Sequence, residues 1–492
     1  MMSSSEHSGD WEFQRIAALL KAQRQAFLAD GVPDLASRVD RLNRLARLLL
    51  DHHEEIVATE SEDFGGRAPT LTRAADILGG VGVVMFNRDH LASWIAPQPV
   101  DLPADAVAAG MRAEVHYQPL GVVGVITPWN GPFLLATIAA ANILAAGNRL
   151  MLKPSELAPA SAALLSRLFT RYFNPLEAVV VEGDANVSQA FARQPFDHLL
   201  FTGSSRVGRE VMKAAAENLT PVTLELGGKC PVIIGRSADE AVMAARLSYS
   251  KLIFGGQVCV TPDYVLAPKG QARRVAEAVL GAARQQYPTV AGNKDYTAII
   301  NDRHFSRLQG LLEDARQKGA EIISTAMSSP LPANDRRLPL SVVLGATEDM
   351  GVMQEEIFGP ILPILEYDHI AAAIAFINRR DRPLAAYYFG ADADELKQVQ
   401  AKVWTGSMVI NDALCQIFYE TLPFGGVGPS GMGRYRGFEG FKTFSNQRPV
   451  VFQSNADAAL AAQRPPYAAG LETYLLNAIN GLKAAFASAD DK

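Results

Sequence analysis

The sequence predicts an α/β protein with two domains, each built on a parallel β-sheet. Short apolar runs alternate with helical segments over 121–226; the runs are 121–127, 149–152, 178–182, 197–201 and 221–226. A second alternation extends over 231–411. Strands that alternate with helices predict βαβ units and a sheet covered on both faces. A chain of 492 residues exceeds what one hydrophobic core usually organises, so we expect two domains that join near Gly227 and Gly228.

Several segments have the apolar spacing of helices. The pattern from Leu35 to Glu60 predicts one long amphipathic surface helix. The stretch Leu134 to Gly147 predicts a buried helix that Gly147 closes. After the strand PVIIG, Ser237 and Glu240 predict a capping box at the start of the next helix.

The C-terminal segment also predicts an amphipathic helix. Its apolar residues follow i, i+3, i+4 spacing; they are Leu471, Tyr474, Leu475, Ala478, Ile479, Leu482 and Phe486. We expect this helix to dock on its own subunit or on a partner subunit. Membrane contact is the alternative, and Lys483, the single basic residue on the helix, argues against it.

Composition and charge are those of an ordinary soluble protein. Hydrophobic residues make up 48% of the chain and charged residues 20%. The net charge of -6 gives no general attraction to phosphate backbones, and no long Lys/Arg run is present, so we expect no nucleic-acid partner. The most apolar stretch, 134–147, includes Asn142 and is too short to span a bilayer, so we expect no membrane span.

The cysteines bear on the compartment. Cys230, Cys259 and Cys415 are too few and odd in number for a disulfide framework, and they suit a reducing environment. The polar start, Met1 to Asp10, lacks the apolar region of a secretory signal. We therefore expect a cytoplasmic protein.

Polar residues follow the predicted strands of the first sheet. Ligands of open parallel sheets bind outside the carboxyl ends of the strands. The residues at those ends are Trp129, Asn130, Lys153, Glu156, Gly203, Ser204, Gly208 and Glu225. The sequence therefore predicts a binding site along one rim.

One of these strand ends has the features of a phosphate site. Gly203 and Ser204 precede a helix predicted from about Val207 to Glu217, whose free N–H groups and dipole favour an anion. A simple helix cap is the alternative. A formal GxGxxG at Gly426 is bracketed by neither strand nor helix, so we reject it as a dinucleotide fingerprint.

Lys153 and Glu156 have a spacing that suits contact with ribose hydroxyls. A carboxylate on the adenine ribose 2′-OH favours NAD, because it would repel the 2′-phosphate of NADP. The alternative is a surface lysine and a first-turn glutamate that satisfies the helix dipole.

Cys259 is the candidate nucleophile, and it lies in a glycine-rich loop after a helix that Gly255 terminates. An inert buried thiol is the alternative. A helix C-terminus does not lower a thiol pKa, so an activating group must come from elsewhere, and the sequence does not identify it. We assign Cys230 and Cys415 no chemical role. No HExxH or paired CxxC supplies a zinc site, so we expect no metal.

Seven ordered motifs make the chain resemble the aldehyde dehydrogenase superfamily from about Arg38 to Val451. They are PWN at 128–130, KPSE at 153–156, FTGS at 201–204, ELGGK at 225–229, GQVC at 256–259, EEIFGP at 355–360 and PFGGVGPSGMG at 423–433. Three further stretches look most like the class 3 branch, which includes bacterial coniferyl aldehyde dehydrogenases; these are DFG at 63–65, CVTPDYV at 259–265 and FKTFS at 441–445.

The resemblance implies catalytic roles for three residues. Cys259 would be the nucleophile that forms a thioester with the aldehyde carbon. Its own backbone N–H and the side-chain amide of Asn130 would form the oxyanion hole. Glu225 would be the general base that activates water against the thioester.

The resemblance also implies NAD as cofactor, with NADP as the alternative because class 3 relatives accept both. The cofactor-binding set would be Trp129, Lys153, Glu156, Gly203, Ser204, Gly208, Glu356 and Phe358. Within it, Ser204 would face the pyrophosphate, Lys153 and Glu156 the adenosine ribose, and Glu356 the nicotinamide ribose.

The implied architecture is a Rossmann-like NAD-binding domain, an α/β catalytic domain and a small β bridging element. Their bounds would be 1–97 with 119–226, 227–430, and 98–118 with 440–453. Residues 454–492 would form a C-terminal helical tail, and the class 3 branch implies a homodimer.

Two departures from the family pattern affect the substrate. Gly131 stands where many relatives carry an aromatic residue, and Val258 stands where threonine is frequent, so the aldehyde itself stays open among aromatic, long-chain and small ones. A CoA-acylating enzyme is the nearest rival, but such enzymes typically lack the base, and Glu225 is present. A non-catalytic NAD-binding scaffold is the rival of another class.

Overall fold

The first half of the chain begins with helices and continues as an alternating α/β region. The computed structural model describes residues 4–325, 334–455, 461 and 464–487. The helices at the start are α1 (Ser4–Asp30), α2 (Leu35–Asp51), α3 (His53–Phe64), α4 (Pro69–Leu71), a π-helix (Thr72–Gly79) and α5 (Gly80–Ile95). Next come β1 (Gln98–Val100), α6 (Ala104–Ala108) and β2 (Arg112–Pro119). The alternation is β3 (Val122–Ile126), α7 (Pro132–Ala145), β4 (Arg149–Lys153), α8 (Pro159–Tyr172), β5 (Ala178–Val180), α9 (Ala185–Ala192), β6 (His198–Gly203), α10 (Ser205–Ala216) and β7 (Val222–Leu226).

The second half contains a second α/β region and the C-terminal segment. Its α/β elements are β8 (Pro231–Ile234), α11 (Glu240–Leu252), β9 (Tyr264–Pro268), α12 (Ala272–Gln286), α13 (Asp302–Gln317), β10 (Glu321–Ser324), β11 (Ser341–Leu344), α14 (Gly351–Gln354), β12 (Ile361–Tyr367), α15 (Ile370–Asn378), β13 (Ala385–Phe389), α16 (Ala393–Lys402) and β14 (Ser407–Ile410). The last elements are β15 (Gly431–Met432), α17 (Gly437–Thr443), β16 (Ser445–Phe452) and α18 (Leu471–Ala487).

Two large sheets confirm the predicted α/β class. The first has the order β15-β7-β6-β3-β4-β5 and is parallel except for β15. The second has the order β10-β11-β12-β9-β8-β13-β14 and is parallel except for β10. Strands β3 and β4 are buried along their whole length, as expected for a sheet covered on both faces. All five predicted runs of the first sheet are strands, whereas a domain boundary at Gly227 and Gly228 stays a prediction.

Two local predictions were wrong. The single helix expected over 35–60 is two helices, because His52 leaves the helical conformation (φ -120°, ψ 20°) and its buried ring packs edge-on against Tyr172. The capping box at Ser237 and Glu240 is also absent, since Asp239 caps α11 by accepting from the Val242 N–H. The Ser237 hydroxyl instead accepts N–H groups of residues 391 and 392.

Residues 96–117 and 447–492 form a compact unit of their own, separate from the unit of 1–95 and 118–446. It holds most of a three-stranded sheet of order β1-β2-β16, the small β element that was expected. Arg112 lies over the Phe452 ring, 3.3 Å from its centroid.

Helix α18 confirms the predicted C-terminal helix, but its apolar residues are not covered. The side chains of Tyr474, Ile479 and Phe486 are 69%, 48% and 73% exposed, and docking of this helix on its own subunit or on a partner subunit stays a prediction. No helix in the described part of the chain has the length and apolarity needed to cross a membrane.

Candidate active site

The carboxyl ends of four parallel strands bring the predicted residues to one edge of the first sheet. Asn130 follows β3, Lys153 ends β4, Ser204 follows β6 and Glu225 lies near the end of β7. These strands are hydrogen-bonded neighbours, so their ends open on the same side. Cys259 reaches this edge from the loop between α11 and β9.

The loop that carries Cys259 has an unusual backbone that buried hydrogen bonds hold in place. Phe254, Gly255 and Gly256 all have left-handed conformations (φ 51°, 65° and 75°). A Cβ at Gly256 would lie 2.6 Å from the Gly359 backbone, so only glycine fits there. The fully buried Gln257 side chain is bonded at 2.9–3.0 Å to three backbone groups, those of Phe254, Ala298 and Ile300. The segment before the nucleophile is therefore fixed by its surroundings.

The Cys259 side chain is half-buried, and its environment favours the neutral thiol. Desolvation raises the pKa of Cys259, and the carboxyl groups of Glu225 and Glu356 raise it further. The guanidinium of Arg436 acts in the opposite direction. Arg436 is thus a cation that favours the thiolate, which the sequence did not identify. Cys230, for which no role was expected, donates its Sγ–H to the Cys259 carbonyl at 3.5 Å.

Asn130 connects the first sheet to the nucleophile loop. Its side-chain Nδ2 donates to the Gln257 carbonyl at 3.0 Å, and its own carbonyl accepts from Arg67 Nη1 at 2.9 Å. The side-chain amide has two N–H groups, so one remains for an oxyanion beside Cys259.

Glu225 is a buried carboxyl group with one oxygen, Oε1, that has no hydrogen-bond partner among the described residues. In the sheet it lies between Thr202 of β6 and Gly431 of β15. Burial raises the pKa of Glu225 to about 8, although Arg436 and Arg434 moderate the shift. A base with this pKa takes up and releases protons near neutral pH.

Glu356 and Phe358 lie in the loop after α14 and contact residues at the edge of the first sheet. A Cβ at Gly227 would overlap the Glu356 carboxylate, so the glycine lets this side chain lie across the end of β7. Burial raises the pKa of Glu356 to about 8, and the charge of Asp263 adds to the shift. Phe358 has φ 52° and lies edge-on to Trp129, with ring centroids 5.4 Å apart.

Lys153 and Glu156 lie at the end of β4 in different surroundings. Lys153 is fully buried and donates from Nζ to the Pro154 carbonyl at 2.7 Å. Burial lowers the pKa of Lys153, and the charge of Glu156 opposes that shift. Glu156 itself is exposed, so its carboxylate is accessible to a ligand.

The glycine-serine turn after β6 has a structural role as well. Ser204 is the N-cap of α10, and its Oγ accepts from the Val207 N–H at 3.4 Å. Gly208 is buried, and a Cβ there would lie 2.7 Å from a Leu226 methyl group. The small size of Gly208 therefore allows α10 to pack on β7, and its contact with the cofactor stays a prediction. The rejected Gly426 motif lies against β7, and the Gly426 N–H donates to Glu225.

Sequence reasoning missed several buried polar residues around the site. Arg67 and Gln257 hold Asn130, and Arg436 influences both Cys259 and Glu225. Asp263 pairs with Lys229 and accepts the Ile357 N–H at 2.9 Å, which links the nucleophile loop to the Glu356 loop. Lys229, Gln257 and Asp263 gave a signal, as members of quoted motifs. In the part of the chain that the structure describes, no three His, Cys, Asp or Glu side chains form a cluster that could hold a metal ion.

The family model described as "Aldehyde dehydrogenase family" matches residues 12–450. The chain is 45% identical to the coniferyl aldehyde dehydrogenase of Pseudomonas sp. (strain HR199 / DSM 7063), over 92% of this chain and 94% of that protein. It is 43% identical to a probable coniferyl aldehyde dehydrogenase of Caulobacter vibrioides, over 94% of this chain and 96% of that protein.

Solved structures agree with this match. The substrate-bound state of Staphylococcus aureus AldH superimposes with a TM-score of 0.85 at 33% identity, covering 90% of this chain and 94% of that chain. PnpE in complex with nicotinamide adenine dinucleotide has a TM-score of 0.81 at 25% identity, covering 91% of each chain.

The raised pKa of Glu225 predicts a pH-dependent cost to folding. Its ordinary pKa is 4.5 and its folded pKa is about 8, so between these values unfolding releases a proton and stability falls as pH rises. Glu225→Gln removes this effect. We expect the stability of the variant relative to the natural protein to increase from pH 5 to pH 8.5, by a few kcal/mol in order of magnitude.

Chemical denaturation at both pH values measures this difference, and any constant effect of the amide cancels between them. Glu210→Gln, a change at an exposed, ion-paired glutamate on α10, is the control and should show no pH-dependent difference. A difference between Glu225→Gln and the natural protein that is equal at both pH values would contradict the raised pKa.

Proposed function

The chain belongs to the aldehyde dehydrogenase family, and on that premise we propose that it oxidises an aromatic aldehyde of the coniferyl class to the carboxylic acid through a thioester on Cys259. One observation carries the mechanism: the Asn130 amide and the carboxyl group of Glu225 both lie at the loop that presents Cys259. A nucleophile, an oxyanion donor and a base at one point are the groups that acyl chemistry needs.

The residues at the sheet edge fit the NAD(P) of the family. The N-terminus of α10 offers backbone N–H groups to a pyrophosphate, and the exposed Glu156 carboxylate next to Lys153 suits a ribose. Glu356, held across the strand end by Gly227, would contact the second ribose. When bound, the cofactor accepts a hydride from the substrate carbon.

The first half-reaction forms the bond between sulfur and carbon. The Cys259 thiol releases its proton to solvent, the sulfur adds to the aldehyde carbon, and the carbonyl oxygen becomes an oxyanion. Asn130 Nδ2 and the Cys259 backbone N–H donate to that oxyanion. When the hydride leaves the same carbon, the carbonyl re-forms as a thioester on Cys259.

The second half-reaction hydrolyses the thioester. Glu225 takes a proton from water through the oxygen that has no partner in the structure, and the resulting hydroxide attacks the thioester carbon. The carbon–sulfur bond breaks, the carboxylic acid leaves, and the sulfur regains a proton from Glu225, which restores the base. The presence of Glu225 also favours hydrolysis of the thioester over its transfer to CoA, the alternative that the sequence analysis considered.

Gly131 supports an aromatic substrate. A Cβ at this position would make only ordinary contacts, the nearest 3.5 Å from Leu135, and its φ of -144° suits any residue. The backbone therefore does not require glycine. Many relatives carry an aromatic side chain here, whereas glycine adds no side chain next to Asn130, which suits a bulky substrate. A homodimer and a cytoplasmic location stay predictions.

The nucleophile is tested with Cys259→Ala. We expect turnover of coniferyl aldehyde with NAD to fall about a thousandfold or more, because no other group can form the thioester. Reduced cofactor at 340 nm reports the turnover, and fluorescence titration should show unchanged cofactor binding. Cys415→Ala is the matched control and should keep full activity. Turnover of Cys259→Ala within tenfold of the natural enzyme would disprove the thioester route.

The base is tested by separating the two half-reactions. Glu225→Gln keeps the side-chain shape but cannot activate water, so rapid mixing should give a burst of about one reduced cofactor per active subunit, followed by slow turnover. Mass spectrometry of the quenched enzyme should find the acyl group on the peptide that contains Cys259. A folded, NAD-binding variant that shows neither burst nor turnover would place Glu225 before hydride transfer instead.

Cofactor preference is tested at Glu156. Since its exposed carboxylate would accept from the 2′-OH and repel a 2′-phosphate, we expect a higher kcat/KM with NAD. Glu156→Gln should narrow the gap to NADP, mainly through the KM for NADP. Glu217→Gln, a change at an exposed glutamate that ends α10, is the control and should leave the ratio unchanged. A strong natural preference for NADP would show that this carboxylate does not read the ribose.

A further inference from the structure

A buried ionic cluster lies directly behind Asn130. It consists of Arg67, Glu60 and Asp76, whose side chains are 1%, 0% and 0% exposed. Arg67 Nη2 donates to Asp76 at 2.6 Å, and Arg67 Nε lies 3.0 Å from the nearer Glu60 oxygen. Groups this well buried cost folding energy unless they are paired, so the cluster needs an explanation.

The cluster holds the Asn130 segment at both ends. Arg67 Nη1 donates to the Asn130 carbonyl at 2.9 Å. The second oxygen of Asp76 accepts the Leu134 N–H at 3.0 Å, in the first turn of α7. Arg67 and Asp76 therefore fix the backbone over 130–134, which carries the Asn130 side chain.

The same guanidinium also contacts the nucleophile loop. It lies over the ring of Phe254, 4.2 Å from the centroid, and over the ring of Phe64 at 4.9 Å. Phe254 has the left-handed backbone conformation that begins the turn toward Cys259. One side chain thus contacts both segments whose N–H groups would face the oxyanion. Asp76 lies in the π-helix, a rare form that is frequent at functional sites.

The charge balance of the cluster indicates that one of its two carboxyl groups carries a proton. Two ionised carboxylates beside one guanidinium would leave a net negative charge in a fully buried site. Burial and the neighbouring Asp76 raise the pKa of Glu60 well above its ordinary value. Asp76 accepts from two donors. One Glu60 oxygen has no hydrogen-bond partner among the described residues, and the other accepts from the Thr72 hydroxyl at 3.0 Å and lies 3.0 Å from Arg67 Nε. The proton is therefore on Glu60, and Arg67 makes its shorter contact with Asp76.

We propose that Arg67, paired with Asp76 and supported by a neutral Glu60, is a positioning residue for the oxyanion site, which it holds by fixing Asn130 against the Cys259 loop. This inference rests on the proposed function for its catalytic consequence. We call the contacts of Arg67 and Asp76 with residues 130–134 the clamp. The clamp is a property of the folded chain and is measurable without a substrate.

Hydrogen exchange tests the clamp in the absence of any aldehyde. In the peptide 130–136, amide exchange should be faster in Arg67→Lys and Asp76→Asn than in the natural protein. Lysine lacks the guanidinium that bonds Asn130 and Asp76 together, and the single amide oxygen of asparagine cannot accept from both Arg67 and the Leu134 N–H. Glu60→Gln replaces a neutral acid with a neutral amide and should leave the exchange unchanged. Arg73→Lys is the matched control, since Arg73 lies in the same π-helix but forms an exposed ion pair with Glu54.

A double-mutant cycle with Asn130→Ala tests whether Arg67 acts through Asn130. Alone, Arg67→Lys and Asp76→Asn should lower kcat and kcat/KM together by about tenfold or more, with the KM for NAD unchanged, and Glu60→Gln should stay within about twofold. In the Asn130→Ala background, Arg67→Lys should have no further effect. A general structural defect would instead persist in that background.

The outcomes separate this inference from the proposed function. Unchanged exchange in Arg67→Lys and Asp76→Asn refutes the clamp, whether or not the protein oxidises aldehydes. Equal losses in Glu60→Gln and Asp76→Asn overturn the assignment of the proton. If the clamp is present but the effects of Arg67→Lys and Asn130→Ala multiply, Arg67 does not act through Asn130. A natural protein that passes the exchange test but oxidises no aldehyde refutes the proposed function and the catalytic consequence of the clamp, and leaves the clamp intact.

Discussion

The hydrogen bond from Asn130 to the Gln257 carbonyl joins the two halves of the site. Asn130 follows a strand of the first sheet, and Gln257 precedes Cys259 in the loop that follows a helix of the second. Neither sheet by itself presents both an oxyanion donor and a nucleophile. The buried hydrogen bonds of the Gln257 side chain fix one partner of this contact, and the hydrogen bond from Arg67 fixes the other. The proposed chemistry therefore depends on buried residues that do not touch the substrate.

Two residues with a strained backbone lie near this contact, one in the Cys259 loop and one in the loop after α14. Phe254 and Phe358 are non-glycine residues with φ near 51° and 52°, a conformation that costs of the order of 1–3 kcal/mol for each. Each is held by neighbours: Arg67 lies on the Phe254 ring, and Trp129 lies against the Phe358 ring. These side-chain contacts therefore help to offset the cost of the two backbone conformations.

The strands and the rim of polar residues could be predicted from sequence because both depend on local patterns. Apolar runs at 149–152 and 221–226 form strands wherever they pack, and parallel strands must end on a common edge. Features set by distant contacts could not be predicted. His52 breaks a helix because its ring packs on Tyr172, and Ser237 serves a distant loop instead of its own helix. Arg67 was missed for the same reason, since Asn130 lies 63 residues further along the chain.

The raised pKa values of Cys259 and Glu225 are consistent with the order of steps in the proposed mechanism. The Glu225 carboxylate raises the pKa of Cys259, so ionising one of these groups makes it more costly to ionise the other, and Arg436 is the cation that acts on both. While the sulfur is an anion, a neutral Glu225 beside it is favoured. Once the sulfur is bound in a neutral thioester, the like charge has disappeared and Arg436 is left to stabilise the carboxylate. The pKa of Glu225 must then be lower in the acyl-enzyme than in the thiolate form of the enzyme. Formation of the thioester therefore favours the ionised base at the step that uses it.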